Sequence, residues 1–201
     1  MILPILGWSL RVVGLYMDFK AVIEAHEKAV SGMKASCLTE LQQMADICRE
    51  AIRSGHKILF CGNGGSAADS QHLAAEFVGR FVKERQGLPA IALTTDTSIL
   101  TAIGNDYGYE EVFRRQVEAL GREGDVLVGI STSGNSANVV NAFRQAKEQG
   151  LNVLALTGPK ESKMNALADV TLRVPAQVTA RVQECHIMIG HMICEYVDED
   201  Y

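Results

Sequence analysis

Five short apolar runs, at 57–61, 90–94, 125–130, 152–156 and 170–174, punctuate a chain whose other segments carry helical periodicity. Runs so short and so uniformly apolar read as strands buried on both faces. Alternating with helices at 66–82, 98–103, 109–120, 137–149 and 179–197, they build one parallel sheet covered on each face, an α/β three-layer sandwich. In such sheets the ligand sits beyond the carboxyl ends of the strands. Chemistry is therefore expected in the loops at 62–66, 130–136 and 156–159.

A helical segment precedes the sheet. Leu38, Leu41, Met44, Ala45, Cys48 and Ile52 recur three and four apart, and Gly55 suits a helix end. Ser31-Gly32 predicts a break into two helices between 18 and 54. Residues 1–16 are apolar with one charge, Arg11, and are interrupted by Pro4 and Gly7. They are too short to span a membrane and lack the marks of a signal peptide. They read as a non-native, mis-called or disordered extension, with Met17 a candidate for the true start. Residues 17–201 then form a single domain, helices at 18–54 and an α/β core at 57–197.

Of 201 residues, 47% are hydrophobic and 21% charged, enough for one globular core. A formal net charge of −5 argues against nucleic acid or an anionic membrane as partner. The five cysteines are odd in number and form no C-x-x-C pair, which reads as reduced thiols in a cytoplasmic protein.

The first loop runs Cys61-Gly62-Asn63-Gly64-Gly65-Ser66 into a helix. Its glycines let backbone approach a ligand, and the helix start offers N–H groups to an anion. On that helix His72 and Glu76 stand at i,i+4 on one face. The second loop, Ser131-Thr132-Ser133-Gly134-Asn135-Ser136, sets four hydroxyls before another helix. A helix cap needs only one or two. Four converging with backbone N–H groups favour a phosphate. Two rival readings are weaker. Gly62-x-Gly64-x-x-Ala67 with Asp96 fits a permissive dinucleotide fingerprint, but that site does not require the second loop. No phosphate-binding G-x-x-x-x-G-K-[ST] occurs. Cys61 as a catalytic thiol competes with simple packing.

Residues 59–76, Gly104-Asn105-Asp106-Tyr107-Gly108, Gly121-Arg122-Glu123-Gly124-Asp125 leading into 131–136, and Arg181-Val182-Gln183-Glu184 together resemble the sugar isomerase (SIS) domain. More closely, they resemble the bacterial phosphoheptose isomerases, over about 18–196. The resemblance implies a five-stranded, flavodoxin-like parallel sheet. It implies a homotetramer with active sites at subunit contacts and one zinc ion per subunit. The implied reaction converts sedoheptulose 7-phosphate to D-glycero-D-manno-heptose 7-phosphate, the first step of heptose synthesis for lipopolysaccharide and related glycans. By position it puts metal ligands at His72, Glu76, Gln183 and His191, and the catalytic pair at Glu76 and His191. Implied substrate contacts are Asn63, Gly64, Gly65, Ser66, Glu76, Asn105, Asp106, Ser131, Thr132, Ser133, Ser136 and Gln183. The segment Pro159-Lys160-Glu161-Ser162 carries less glycine than the family pattern.

Gln183 and His191 are eight apart, roughly 80° and about 12 Å on a helix. One ion joins them only if His191 leans back toward the helix start, or if the two helices come from different subunits. Either way two helices must face each other. His186 reads as packing rather than a ligand. Arg80, at i+4 from Glu76, reads equally as an orienting group or a solvated ion pair, and Lys83-Glu84-Arg85 as a solvated helix end. Two other readings compete: a non-catalytic adaptor of this fold, and another sugar-phosphate isomerase. The adaptor has no need of Glu76, Gln183 and His191 together.

Overall fold

The computed structural model describes residues 17–201; the expectation for 1–16 lies outside the described residues. Helix α1 (Phe19–Ser36) starts where the Asp18 carboxylate accepts the Ala21 N–H (3.1 Å), and α2 (Leu38–Arg53) follows after Cys37. The break falls at Cys37, not at Gly32. Gly32 lies inside α1, where a Cβ would stand 3.0 Å from Pro175 Cγ. The glycine there serves close approach and turns nothing.

Strands β1 (Ile58–Gly62), β2 (Ala90–Ala92), β3 (Val126–Ser131), β4 (Asn152–Thr157) and β5 (Val170–Arg173) form one parallel sheet. Their order is β2-β1-β3-β4-β5. The chain steps outward from β1 to β2, then returns across β1 to β3, so the winding reverses between β1 and β3. The crevice of a doubly wound sheet opens at that reversal. The pairing Gly62↔Ile130 brings the first two glycine- and hydroxyl-rich loops to its two lips.

Side chains alternate along each strand. Ile58, Phe60, Val126, Val128, Leu154 and Leu156 pack on one face against α1, α2, α3 (Gly65–Val78) and α7 (Thr179–Asp198). Leu59, Cys61, Leu127, Val153 and Ala155 pack on the other, against α5 (Arg114–Leu120) and α6 (Ala137–Glu148). Leu100 and Ile103 of α4 (Thr97–Tyr107) join this second core from its rim. Two cores around one sheet are the expected three-layer sandwich.

Three helices differ from their sequence expectation, beginning with α4, which runs on to Tyr107 rather than ending at 103. α3 ends at Val78 rather than 82, because the chain turns at Gly79 and the Val82 and Lys83 N–H groups bind the Asp198 carboxylate. The segment 109–120 divides into a short 3₁₀ turn, Tyr109–Glu111, and α5. Val112 and Phe113, both buried, anchor the junction between them in the core. Among the described residues no helix is long and apolar enough to cross a membrane.

Candidate active site

Helices α3 and α7 lie side by side and run in the same direction. Three contacts fix their register: Gln183 against Gly65, Gly190 against Leu73, and His191 against His72. A Cβ on Gly190 would stand 2.4 Å from Leu73 Cδ2, so only glycine lets the helices close to this distance. The result is a cluster of donors. His191 Nε2 is 3.0 Å from His72 Nε2, and His72 Nε2 is 3.1 Å from Glu76 Oε1. The three donor atoms lie within 4.8 Å of one another.

These donors suit a metal ion. Two imidazole Nε2 atoms 3.0 Å apart can share one proton in an N–H···N bond, or, both unprotonated, turn their lone pairs on a common cation beside the Glu76 carboxylate. Nitrogen and carboxylate donors tetrahedral about zinc stand about 3.4 Å apart, given bonds of about 2.1 Å. The spacing here is slightly tighter and is drawn from the same donor set. Phe81 stacks on His191 with centroids 5.5 Å apart.

Gln183 is not beside these three. Its amide lies against the first residue of α3, where a Gly65 Cβ would be 2.8 Å from Nε2. That is two helical turns before His191, roughly 12 Å along the axis. A single subunit therefore assembles His72, Glu76 and His191 but leaves Gln183 at the other end of the helix pair.

The hydroxyls of the loop after β3 do not cap the helix that follows. Ser136 holds the N-cap position of α6, yet its hydroxyl makes no capping bond. It stands 3.0 Å from Ser131 Oγ, which in turn is 3.4 Å from Ser133 Oγ. Ser133 Oγ also accepts the Asn135 N–H (3.2 Å). Beyond the loop opens a cavity of about 290 Å³, lined by Thr132, Ser133, Asn135, Lys160, Gln177 and Thr179 among others. Lys160 is the one cation lining it, and it has no ion pair among the described residues, whereas its neighbour Glu161 is paired with Arg173.

The first loop is held by groups the sequence did not flag. Asn63 and Asn138 exchange amide hydrogen bonds (2.9 and 2.8 Å), and the Tyr109 hydroxyl donates to Asn63 Oδ1 (3.1 Å). The Asn63 side chain thus ties β1 to α6, leaving its neighbours to present backbone. Gly64 sits at φ +56°, a left-handed conformation that favours glycine. Gly65 is exposed, and Ser66 is buried, its N–H bonded to Asn63 C=O (3.0 Å). Asn105 and Asp106 are exposed on the last turns of α4 and bond to each other (2.8 Å). Asn138 and Tyr109 were missed because their signal is a contact across 75 and 46 residues, with no local pattern.

The alternatives lose their residues. Asp96, which a dinucleotide would need, caps α4 by accepting the Ile99 N–H (2.9 Å). Cys61 is fully buried, and desolvation pushes its thiol up to about 12, far from a nucleophile's range. His186 is buried and donates from Nε2 to Thr157 C=O (3.1 Å), away from the histidine cluster. Arg80 lies beyond the end of α3 and pairs with Glu84 (3.3 Å), so it does not orient Glu76. The expected solvated end at 83–85 is wrong for Arg85, whose side chain is 3% exposed and paired with Asp198.

A family model described as SIS domain matches residues 23–158. A phosphoheptose isomerase of Aliarcobacter butzleri is 53% identical over 176 residues, 88% of this chain and 93% of that protein. The chain belongs to the phosphoheptose isomerase family. Solved phosphoheptose isomerases agree with the fold. That of Neisseria gonorrhoeae superposes with a TM-score of 0.86 at 48% identity, covering 90% of this chain and 97% of that one. That of Francisella tularensis gives 0.87 at 36% identity, covering 90% and 96%. Family membership answers the adaptor reading in the same sense as the donor cluster does.

Proposed function

We propose that this phosphoheptose isomerase interconverts sedoheptulose 7-phosphate and D-glycero-D-manno-heptose 7-phosphate, with Glu76 and His191 as its reacting pair. The observation that carries the assignment is the convergence of Glu76 with two histidines across the α3–α7 contact. Aldose–ketose isomerisation moves one proton between C1 and C2 through an enediol, and so needs a base and an acid within reach of both carbons. Glu76 takes a proton from C1 of the ketose while His191 gives one to the C2 oxygen from Nδ1, the ring nitrogen that is not turned to His72. The enediol then accepts a proton at C2 and loses the O1 proton, leaving the C1 aldehyde.

His72, Glu76 and His191 would hold one zinc ion per subunit, and zinc would polarise the substrate's carbonyl and hydroxyl oxygens. Glu76 faces His72 through one carboxylate oxygen, and a carboxylate has a second with which to take a proton. Because Gln183 lies two turns away in its own subunit, its role as a ligand calls for another copy of the chain. That favours a homotetramer with sites at subunit contacts. Ser131, Thr132, Ser133 and Ser136 bind the phosphate at the start of α6, and Asn63–Ser66 backbone and Asn105 and Asp106 bind the sugar chain. The setting we propose is cytoplasmic heptose synthesis for lipopolysaccharide or related glycans, in keeping with five free, buried cysteines.

The test is turnover. Purified, zinc-supplemented protein given sedoheptulose 7-phosphate is expected to release the aldose. Glu76→Gln and His191→Gln are each expected to reduce kcat at least about a thousandfold with the fold intact. Near-normal turnover in either would refute the assigned pair.

A further inference from the structure

Glu76 lies in the last turn of α3, two residues before the helix stops. A helix end leaves its final carbonyls without backbone partners and concentrates negative charge there. That is an awkward place for a carboxylate that must hold a fixed direction. Arg85 resolves it. Its guanidinium reaches back over the end of the helix and donates to the C=O of Glu76 itself (3.0 Å) and of Phe77 (2.9 Å), and more weakly to Gly79 (3.3 Å).

Arg85 is in turn fixed by Asp198, the last residue of α7. One carboxylate oxygen accepts from Arg85 Nε, and the other accepts the N–H groups of Val82 (2.9 Å) and Lys83 (2.8 Å). Both side chains are all but excluded from solvent, at 3% and 2% exposure. His191 sits seven residues before Asp198 on the same helix. One ion pair therefore joins the end of the helix that carries Glu76 to the end of the helix that carries His191.

We propose that Arg85, clamped by Asp198, is a positioning residue of the isomerisation: it fixes the last turn of α3 and so aims the Glu76 carboxylate at the reacting carbons. The inference rests on the reading of Glu76 as the base. Small displacements of a reacting group cost about a hundredfold in rate. Phosphate and sugar contacts lie at the opposite ends of α3 and α6, and binding does not depend on the clamp.

The experiment measures kcat and KM for sedoheptulose 7-phosphate on the zinc-loaded, size-purified oligomer of each variant. Arg85→Lys keeps the charge but loses the planar fork. It is expected to lower kcat by about a hundredfold, with KM changed less than about twofold. Asp198→Asn leaves Arg85 buried without its partner and tests the clamp directly. Should either fail to fold, Arg85→Met/Asp198→Leu removes both charges and restores apolar packing. It still strips the donor from Glu76 C=O and is expected to show the same loss of kcat. Zinc content, read by atomic absorption, is expected to stay stoichiometric. Variants that unfold at lower temperature yet turn over at the wild-type rate would make the pair purely structural and overturn the proposal. Glu76→Gln run alongside separates the two failures. If it stays active, the base is misassigned; if it is silent while Arg85→Lys is active, only this inference falls.

Discussion

Ser136 occupies a capping position and does not cap, and that single fact separates a ligand site from a turn. Its hydroxyl points to Ser131 instead, and Val139 N–H is taken by Asn138 Oδ1 (3.0 Å), so of the first turn of α6 the N–H groups of Ala137 and Asn138 are the ones left for a group brought from outside. Lys160 lines the same cavity as Thr132 and Ser133, and on the proposed function it would supply the positive charge that a phosphate held only by hydroxyls lacks. Both groups act far from the reacting carbons, so their energy is the same in substrate and transition state. Ser133→Ala and Lys160→Ala are each expected to raise KM about tenfold with kcat unchanged, as steady-state kinetics would show. A fall in kcat instead would place the phosphate elsewhere.

His186 makes a different prediction. Burial depresses its pKa to about 4, against an ordinary value of 6.5, although its bond to Thr157 C=O works in the opposite direction. The folded protein thus keeps His186 neutral while the unfolded chain takes up a proton below 6.5. Above that pH its protonation equilibrium costs the fold nothing. As pH falls from 6.5 toward about 4, stability is lost at up to about 1.4 kcal/mol per unit, about 3 kcal/mol in all. Urea unfolding at pH 7, 6, 5 and 4 would show the decline, and His186→Gln is expected to flatten it.

At the scale of elements, the decisive feature is how closely α7 approaches α3. Leu73 is 1% exposed and has nowhere to move, so a methyl at Gly190 must push the helices apart. Gly190→Ala is expected to cost about 1–3 kcal/mol of stability. It should also lower kcat more than tenfold by separating His191 from Glu76. Thermal unfolding and turnover measured together check both. This contact also marks the limit of what sequence reveals. The central strands β1, β3 and β4 were legible because a strand buried on both faces is apolar at nearly every position, a purely local signal; the edge strands β2 and β5 are only partly buried, against the expectation that all five are covered on both faces, and show as short apolar runs all the same. His72 and Glu76 were legible because their spacing is local too. The pairing of Gly190 with Leu73 was not, since a glycine within a helix gives no sign of what lies against it. Gly32 misled in the same way, read as a break when it accommodates Pro175. Arg85 misled because a charge run looks alike in water and in a buried clamp; only the fold shows Asp198 waiting for it.

At the scale of the whole molecule, the helix register sets a condition on assembly. Parallel helices in contact along their length keep Gln183 opposite Gly65 and His191 opposite His72. No rotamer of a glutamine bridges two turns of helix. If Gln183 ligates the same ion as His191, it does so from a second subunit, and every complete site is then shared. Sharing has a consequence that a self-contained site lacks. Subunits carrying His191→Gln and subunits carrying Gln183→Ala are each inactive alone. Unfolded together and refolded as mixed oligomers, some sites draw His72, Glu76 and His191 from the Gln183→Ala chain and an intact Gln183 from the His191→Gln chain. Random assembly makes that combination in about a quarter of sites. Recovery of about a quarter of wild-type activity on mixing is the expected result. If the mixture stays as inactive as its parents, Gln183 works within its own chain or not at all, and the shared site is ruled out.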